Sequence, residues 1–321
     1  MWLIVAVISY FINAGVYVAD KFLLSKKIHS SITYAFYVGI WSVFNIFLLI
    51  FAPWIPTSKE LAIDLAAGAL FFVTLIFWYK ALHQSEATRV VPVVGALIPV
   101  FSFSFSIIFL KESFNQQEMF AFIILIAGGI LISIKRTKIY IFRQLVERMH
   151  DIFGNVMGDI HARFRPTRRL IINSLVAAFF FAAYYVLMKY IYMHQPFIGS
   201  FVWSRLGTSI AVMAVLLVPA WRQTIKEHRK KTNTPKNLSF FLSVRLVAAG
   251  AFIMLNWAVS LGNVAMINAL QGVQFLFLIF LVLIFSVKFP RILKEELGRG
   301  VLMQKIIGVV LVSLGLWVLI S

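Results

Sequence analysis

Long apolar runs separated by short polar breaks dominate the chain. Ten of them approach the roughly 20 residues a helix needs to cross the hydrocarbon core of a bilayer. They span 2–20, 33–53, 62–81, 89–110, 117–134, 170–189, 198–219, 239–259, 264–287 and 301–320. The runs lack the polar–apolar alternation of a membrane barrel. The pattern therefore predicts an all-α integral membrane protein with ten transmembrane helices. One break is long, 135–169, and within it Ile141, Leu145, Met149, Ile152, Val156 and Ile160 fall on one helical face. This predicts an interfacial amphipathic helix in a cytoplasmic linker between two five-helix units, 1–134 and 170–321.

The two units echo each other. Tyr17, Val18 and Lys21 in the first helix match Tyr185, Val186 and Lys189 in the sixth, and Leu82, Val94, Leu97 and Phe101 match Leu261, Val273, Leu276 and Phe280. An odd number of crossings per unit forces the copies into opposite orientations, the inverted repeat of many secondary transporters. In the fourth run, "VVPVVGALIPV", Pro92 and Pro99 flank Gly95 on nearly one face. Each proline frees a carbonyl that protein or water has to satisfy, so the bend serves either packing or a cavity wall. "AAGAL" (66–70) and "AAGAF" (248–252) read as close-packing patches.

Composition agrees: 61% of residues are hydrophobic and 13% charged, against about 25% charged in soluble domains. The net charge of +18 does not signal nucleic acid. Of 30 Lys and Arg, 25 lie in the breaks or at the adjoining run ends on one side, while Lys59, Lys111 and Lys189 lie on the other. The positive-inside rule makes the rich side cytoplasmic, facing anionic lipid, and both termini extracytoplasmic in a plasma or inner membrane. The first run reads as a retained helix rather than a cleaved signal, because its lysines follow it. With no cysteine there is no disulfide or thiolate site. No nucleotide loop, HExxH, nucleophile elbow or metal cluster is present, so no cofactor, metal or enzymatic chemistry is expected. A monomer or weak dimer is expected.

The stretch "ALHQSEATRVVPVVGALIPVFSFSFSIIFLKESFNQQEMFAFIILIAGGILIS" resembles the signature of EamA-type drug/metabolite transporters, with Pro99 in an "lxPVf" context followed by "FLKE" and "AGGILI". The second unit departs from it: Leu278 stands in place of the proline, and "FPRILKEELGRG" lengthens the last turn. The resemblance implies two five-helix units around a cavity lined by the first four helices of each, with helices five and ten peripheral. It also implies a small-molecule substrate. Members of that family often have cytoplasmic termini, the reverse of the charge pattern here.

Polar residues inside apolar runs mark the candidate site, since unpaired polarity there is expensive. Asn13, Tyr17, Trp78, Tyr185, Arg205, Asn256, Asn268 and Gln271 are the candidate substrate-binding residues. Arg205 is the sharpest, its planar fork suited to a carboxylate or phosphate, with an internal ion pair as the alternative. Asp20 and Glu86 are candidate proton carriers, Glu86 alternatively pairing with Arg89, and His83 a titratable gate. Arg245 reads as an anchor, and Trp78 and Trp257 alternatively as interfacial tryptophans. The favoured function is alternating-access transport of a small polar or zwitterionic metabolite. A membrane-embedded lipid-modifying enzyme and a sealed scaffold are the alternatives.

Overall fold

The computed structural model describes residues 1–26, 30–85, 87–133, 168–232, 235–288 and 299–320. The linker helix predicted at 141–160 and the Glu86 of the proton-carrier expectation lie outside these residues, as does the side chain of Arg89. The elements are α1 (Trp2–Lys26), α2 (Ser31–Ile40), a 3₁₀ helix (Trp41–Ile50), α3 (Ser58–Gln84), α4 (Ala87–Phe105), a π turn (Ser106–Leu110) and α5 (Gln116–Ser133). After the linker come α6 (Arg168–His194), α7 (Phe197–Ala214), α8 (Pro219–Thr232), α9 (Pro235–Leu261), α10 (Val264–Ala269), α11 (Gln271–Lys288) and α12 (Arg299–Ile320). Among the described residues, seven helices are long and apolar enough to span a membrane, and Gln116–Leu131, Val264–Leu278 and Ile307–Leu319 are shorter apolar segments. The protein is an all-α, multi-pass membrane protein.

Of the runs that are not one continuous α-helix, the second and the ninth depart most. The second leaves α geometry at Trp41 and continues as ten residues of 3₁₀ helix, longer than the usual three or four. In a 3₁₀ helix side chains three apart eclipse, and the sequence "WSVFNIFLLI" sorts accordingly. Trp41, Phe44 and Phe47 stack in one column with ring centroids 4.7 and 6.2 Å apart. Ser42 and Asn45 occupy the next column, where the Asn45 amide donates to the Ser42 carbonyl at 2.8 Å. The ninth run, predicted as one helix over 264–287, breaks at Leu270 into α10 and α11. Asn263 starts α10 by accepting from the amides of Ala265 and Met266 at 2.9 and 3.1 Å, the usual N-cap role of asparagine.

Packing pairs the helices in a reciprocal way. α1 lies on α9 and α3 on α6; α1 also packs on α11 and α4 on α6; α5 and α12 pack on each other. The 3₁₀ helix and α3 both lie on α7. The α3–α7 seam is the tightest. A Cβ on Gly207 would come within 2.6 Å of Leu65 backbone, and one on Gly68 would collide with the backbone of Ser204 and Thr208. The Thr208 hydroxyl donates to the Gly68 carbonyl at 3.0 Å. "AAGAL" is thus a close-packing patch as expected. "AAGAF" is so only at Ala251, which is buried with its carbonyl accepting from the Ser9 hydroxyl at 2.7 Å; nothing lies within 4 Å of a Cβ built on Gly250, and Ala248 and Ala249 face a cavity.

Lys21 and Lys189, matched in the sequence, do the same job in space. The Lys21 ammonium donates to the carbonyls of Leu82 and Ser85 at the end of α3, at 2.9 and 2.6 Å. The Lys189 ammonium donates to those of Ser260 and Gly262 at the end of α9, at 3.3 and 2.7 Å. Each places a cation against the free carbonyls and negative dipole end of a helix C-terminus.

Candidate functional site

A cavity of about 140 Å³ lies at the centre of the bundle, between α1, α2 with its 3₁₀ extension, α3, α6, α7 and α9. It is close in size to the ~150 Å³ engineered cavity that accepts benzene. Of the residues proposed from sequence, Asn13, Tyr17, Trp78, Tyr185 and Arg205 line it, and Asp20 stands at its edge. Trp78 is buried, so it is not an interfacial anchor; Trp257 is partly exposed. Asn256 sits one layer behind the wall. Its carbonyl oxygen accepts from the hydroxyls of Tyr184 (3.2 Å) and Tyr192 (3.0 Å).

Asn268 and Gln271 are elsewhere. Asn268 donates to the Ser102 hydroxyl at 2.7 Å across the α4–α10 contact, and Gln271 packs beside Gly95. Helices α4, α10 and α11 contribute no described residue to the cavity wall. The Pro99 region of α4 therefore serves packing, with Pro99 buried and Gly95 leaving room for Phe275. The second helix, which supplied no candidate residue, lines the cavity through Val38, Trp41, Ser42 and Asn45.

Arg205 is 3% exposed and sits in a nest of rings. Its guanidinium carbon is 4.0 Å from the Phe71 centroid, 4.8 Å from Phe252, 5.3 Å from Tyr184 and 5.7 Å from Phe201. One Nη donates to the Tyr184 hydroxyl at 3.1 Å, while Nε has no acceptor. Among the described residues no carboxylate pairs with it. Ring quadrupoles offset part of the charge, but a desolvated guanidinium with five donors and one acceptor among the described residues is incompletely satisfied.

Arg245 is not the interfacial anchor the sequence suggested. It forms an ion pair with Asp20 at the cavity edge. Two tyrosines complete the cluster: Tyr34 donates to one Asp20 oxygen at 2.8 Å and Tyr79 to the other at 3.3 Å. The same hydroxyls accept from Arg245 at 3.2 and 3.4 Å. Phe241 of α9 packs edge-on against Tyr34, centroids 5.8 Å apart. Asp20, a proton carrier in the sequence reading, is thus held by a cation. His83 lies exposed in the last turn of α3, away from the cavity.

Sequence reasoning missed three features. Asp64 is fully buried near the opposite end of the seam, where the Gln195 amide donates to both its oxygens at 3.0 and 3.1 Å once oriented by that contact. A lone acidic residue inside the third run was the available signal. Tyr34 and Tyr79 carried no signal, because aromatic residues are abundant throughout. Glu112 lies in the turn before α5 with an unpartnered buried oxygen. Burial holds its carboxyl above the usual range, and nearby Lys189 opposes that shift.

No group of three or more metal-binding side chains occurs among the described residues. An uncharacterized protein of Methanocaldococcus jannaschii is 31% identical over 80 residues, which cover 25% of this chain and 58% of that protein. The chain thus spans little more than half the length of this curated relative. A solved crystal structure superposes with a TM-score of 0.58 at 12% identity, covering 98% of this chain and 93% of its own. The likeness extends the fold comparison to the full length of the bundle. The EamA-like transporter family matches residues 1–134, a family of transporters rather than enzymes. Residues 1–134 of this multi-pass helical membrane protein thus match the EamA-like transporter family.

Proposed function

We propose that the chain is a secondary transporter of a small polar metabolite, built as ten crossings in two inverted five-helix units that expose the central cavity alternately to either side. Reciprocal packing supports the repeat: α1 on α9 answers α3 on α6, and α1 on α11 answers α4 on α6. So does the shared end-capping by Lys21 and Lys189.

The observation that carries alternating access is the unequal state of the two related seams. The α3–α7 seam is shut, glycine against backbone, over the Gly68–Gly207 contact. On the other side α9 presents Ala248 and Ala249 to the cavity with Gly250 open, and it meets α2 through side chains, Phe241 and Arg245 against Tyr34. An inverted repeat with one seam closed and its counterpart held only by side chains is one of two mirrored states. Transport exchanges them by opening the glycine seam and drawing α9 onto α2. The free energy comes from a substrate or ion gradient.

The charge asymmetry orients the protein with both termini outside and residues 135–169 in the cytoplasm. Reporter fusions at Ser321 and within 140–160 test that assignment, and the reverse pattern of signals rejects it. Purified protein in vesicles, challenged with a metabolite mixture under imposed proton and sodium gradients, tests the function. Uptake or efflux of at least one compound above empty vesicles is expected, and none under any gradient refutes it.

A further inference from the structure

We propose that the central cavity takes a small organic monoanion built on a planar ring, a carboxylate carried on an arylmethyl group, with its carboxylate seated on Arg205. This deepens the transporter reading and rests on it only for what is done with the bound molecule.

Charge comes first. The cavity wall carries Asp20, Arg205 and Arg245. Asp20 and Arg245 cancel in a direct ion pair, which leaves the Arg205 guanidinium as the uncompensated charge among these three. A guanidinium cannot relieve its burial by losing a proton, so an anion from outside is the remaining way to compensate it. One cation calls for one negative charge, and a dianion would carry an unpaired charge into the bundle.

Donor geometry comes next. Arg205 donates to the Tyr184 hydroxyl through one Nη, and its Nε–H is buried without an acceptor. Nε itself has no surface open to the cavity, so a carboxylate there accepts from the outer Nη edge of the guanidinium, a charge-assisted bond.

The rest of the wall decides what the anion is attached to. Tyr17 and Trp78 have ring centroids 5.0 Å apart, Trp78 and Phe181 5.8 Å, and Phe181 and Tyr185 stack at 6.2 Å. These rings form a continuous aromatic wall around a space of about 140 Å³, near that of the ~150 Å³ cavity known to hold benzene. Ring-on-ring contact favours an aromatic body. An added ammonium would find Asp20 already engaged by Arg245 and by the Tyr34 and Tyr79 hydroxyls, so a zwitterion is disfavoured relative to the bare acid.

Three probes of one skeleton separate these possibilities: phenylacetate, phenylglycine and benzylamine, the anion, zwitterion and cation. Calorimetric titration of the full chain in lipid nanodiscs is expected to show phenylacetate binding, phenylglycine at least about tenfold weaker, and benzylamine silent. For phenylglycine the factor reflects an ammonium brought in without a free carboxylate partner; for Arg205→Gln it is the loss of a charge-assisted bond worth roughly 1.5–3 kcal/mol at 1.4 kcal/mol per decade. Arg205→Gln is expected to weaken phenylacetate by at least the same factor, and Arg205→Lys to lie between. Phenylglycine or benzylamine binding as tightly as phenylacetate overturns the proposal. So does binding unchanged in a monodisperse Arg205→Gln protein, or no binding of any probe. The ligand series needs only the unaltered chain, so a variant that fails to fold does not shelter the idea. Vesicles that transport another metabolite while phenylacetate fails to bind would reject this site and keep the transporter. Binding with no transport of anything would do the opposite.

Discussion

Breaking the Asp20–Arg245 pair from either side predicts an asymmetric loss of stability. The two side chains are 2% and 9% exposed, so removing one leaves the other desolvated. Asp20→Asn strands the Arg245 guanidinium against Tyr34 and Tyr79, neither of which carries negative charge, and Arg245 Nε already lacks an acceptor. The guanidinium cannot shed its proton, so the full penalty for a broken buried pair applies, about 3–5 kcal/mol. Arg245→Gln strands Asp20 instead, but the Tyr34 and Tyr79 hydroxyls still donate to both its oxygens. Each retained bond to a charged group contributes about 1.5–3 kcal/mol, so this loss is the smaller. The double variant leaves two neutral amides among two hydroxyls, and its cost should fall well below the sum, with a coupling of about 2 kcal/mol or more. Equilibrium unfolding of the four proteins by SDS titration in mixed micelles measures the cycle. Additive losses within about 0.5 kcal/mol would mean the two groups do not interact. An Arg245→Gln loss equal to that of Asp20→Asn would refute the compensating role given to the tyrosines.

Gly68→Ala puts a methyl into Ser204 and Thr208 backbone and should prise the α3–α7 seam apart, at a cost of about 1–3 kcal/mol. Gly250→Ala meets nothing and should be neutral or stabilising by up to about 1 kcal/mol. Because the chain has no cysteine, single cysteines at Leu65 and Ala249 report the two seams by maleimide labelling, and equal labelling of the Gly68→Ala and unaltered proteins at Leu65 would contradict the first prediction. Lys21→Met and Lys189→Met should each cost about 0.5–2 kcal/mol by freeing helix-end carbonyls, and thermal unfolding that shifts for only one of them undermines their equivalence. Glu112 has a folded-state pKa raised by burial, so its contribution is full at pH below the ordinary carboxylate value, near 4.3, and declines as pH rises through the folded value. Glu112→Gln should therefore gain stability relative to the unaltered chain as pH rises above about 4.3, and parallel stability–pH curves would show that this carboxyl makes no such contribution.

The membrane class was legible in the sequence because it depends on totals. A run such as 62–81 is too long and apolar for any other solvent, and the charge bias of the breaks follows from counting lysines and arginines. The spacing of Tyr17 and Lys21 was visibly repeated at Tyr185 and Lys189 in α6, which is the sequence basis of the proposed repeat. Arg205, Asn13, Tyr17, Trp78 and Tyr185 were legible as candidates because polar and amphipathic groups within apolar runs are conspicuous. Which of the candidates share one space was not. Asn268 and Gln271 looked equivalent to Asn13 in one dimension, but α10 and α11 turn them toward α4, where Asn268 meets Ser102. The Asp20–Arg245 pair joins groups 225 residues apart, and helix periodicity holds no information at that range. "AAGAL" and "AAGAF" differ in one residue, yet only the first has its glycine pressed against a neighbouring backbone. Side-chain chemistry along a helix sets what each face can tolerate; the rotation and partner of that helix in the bundle set which contact it makes, and those are properties of the whole packed fold.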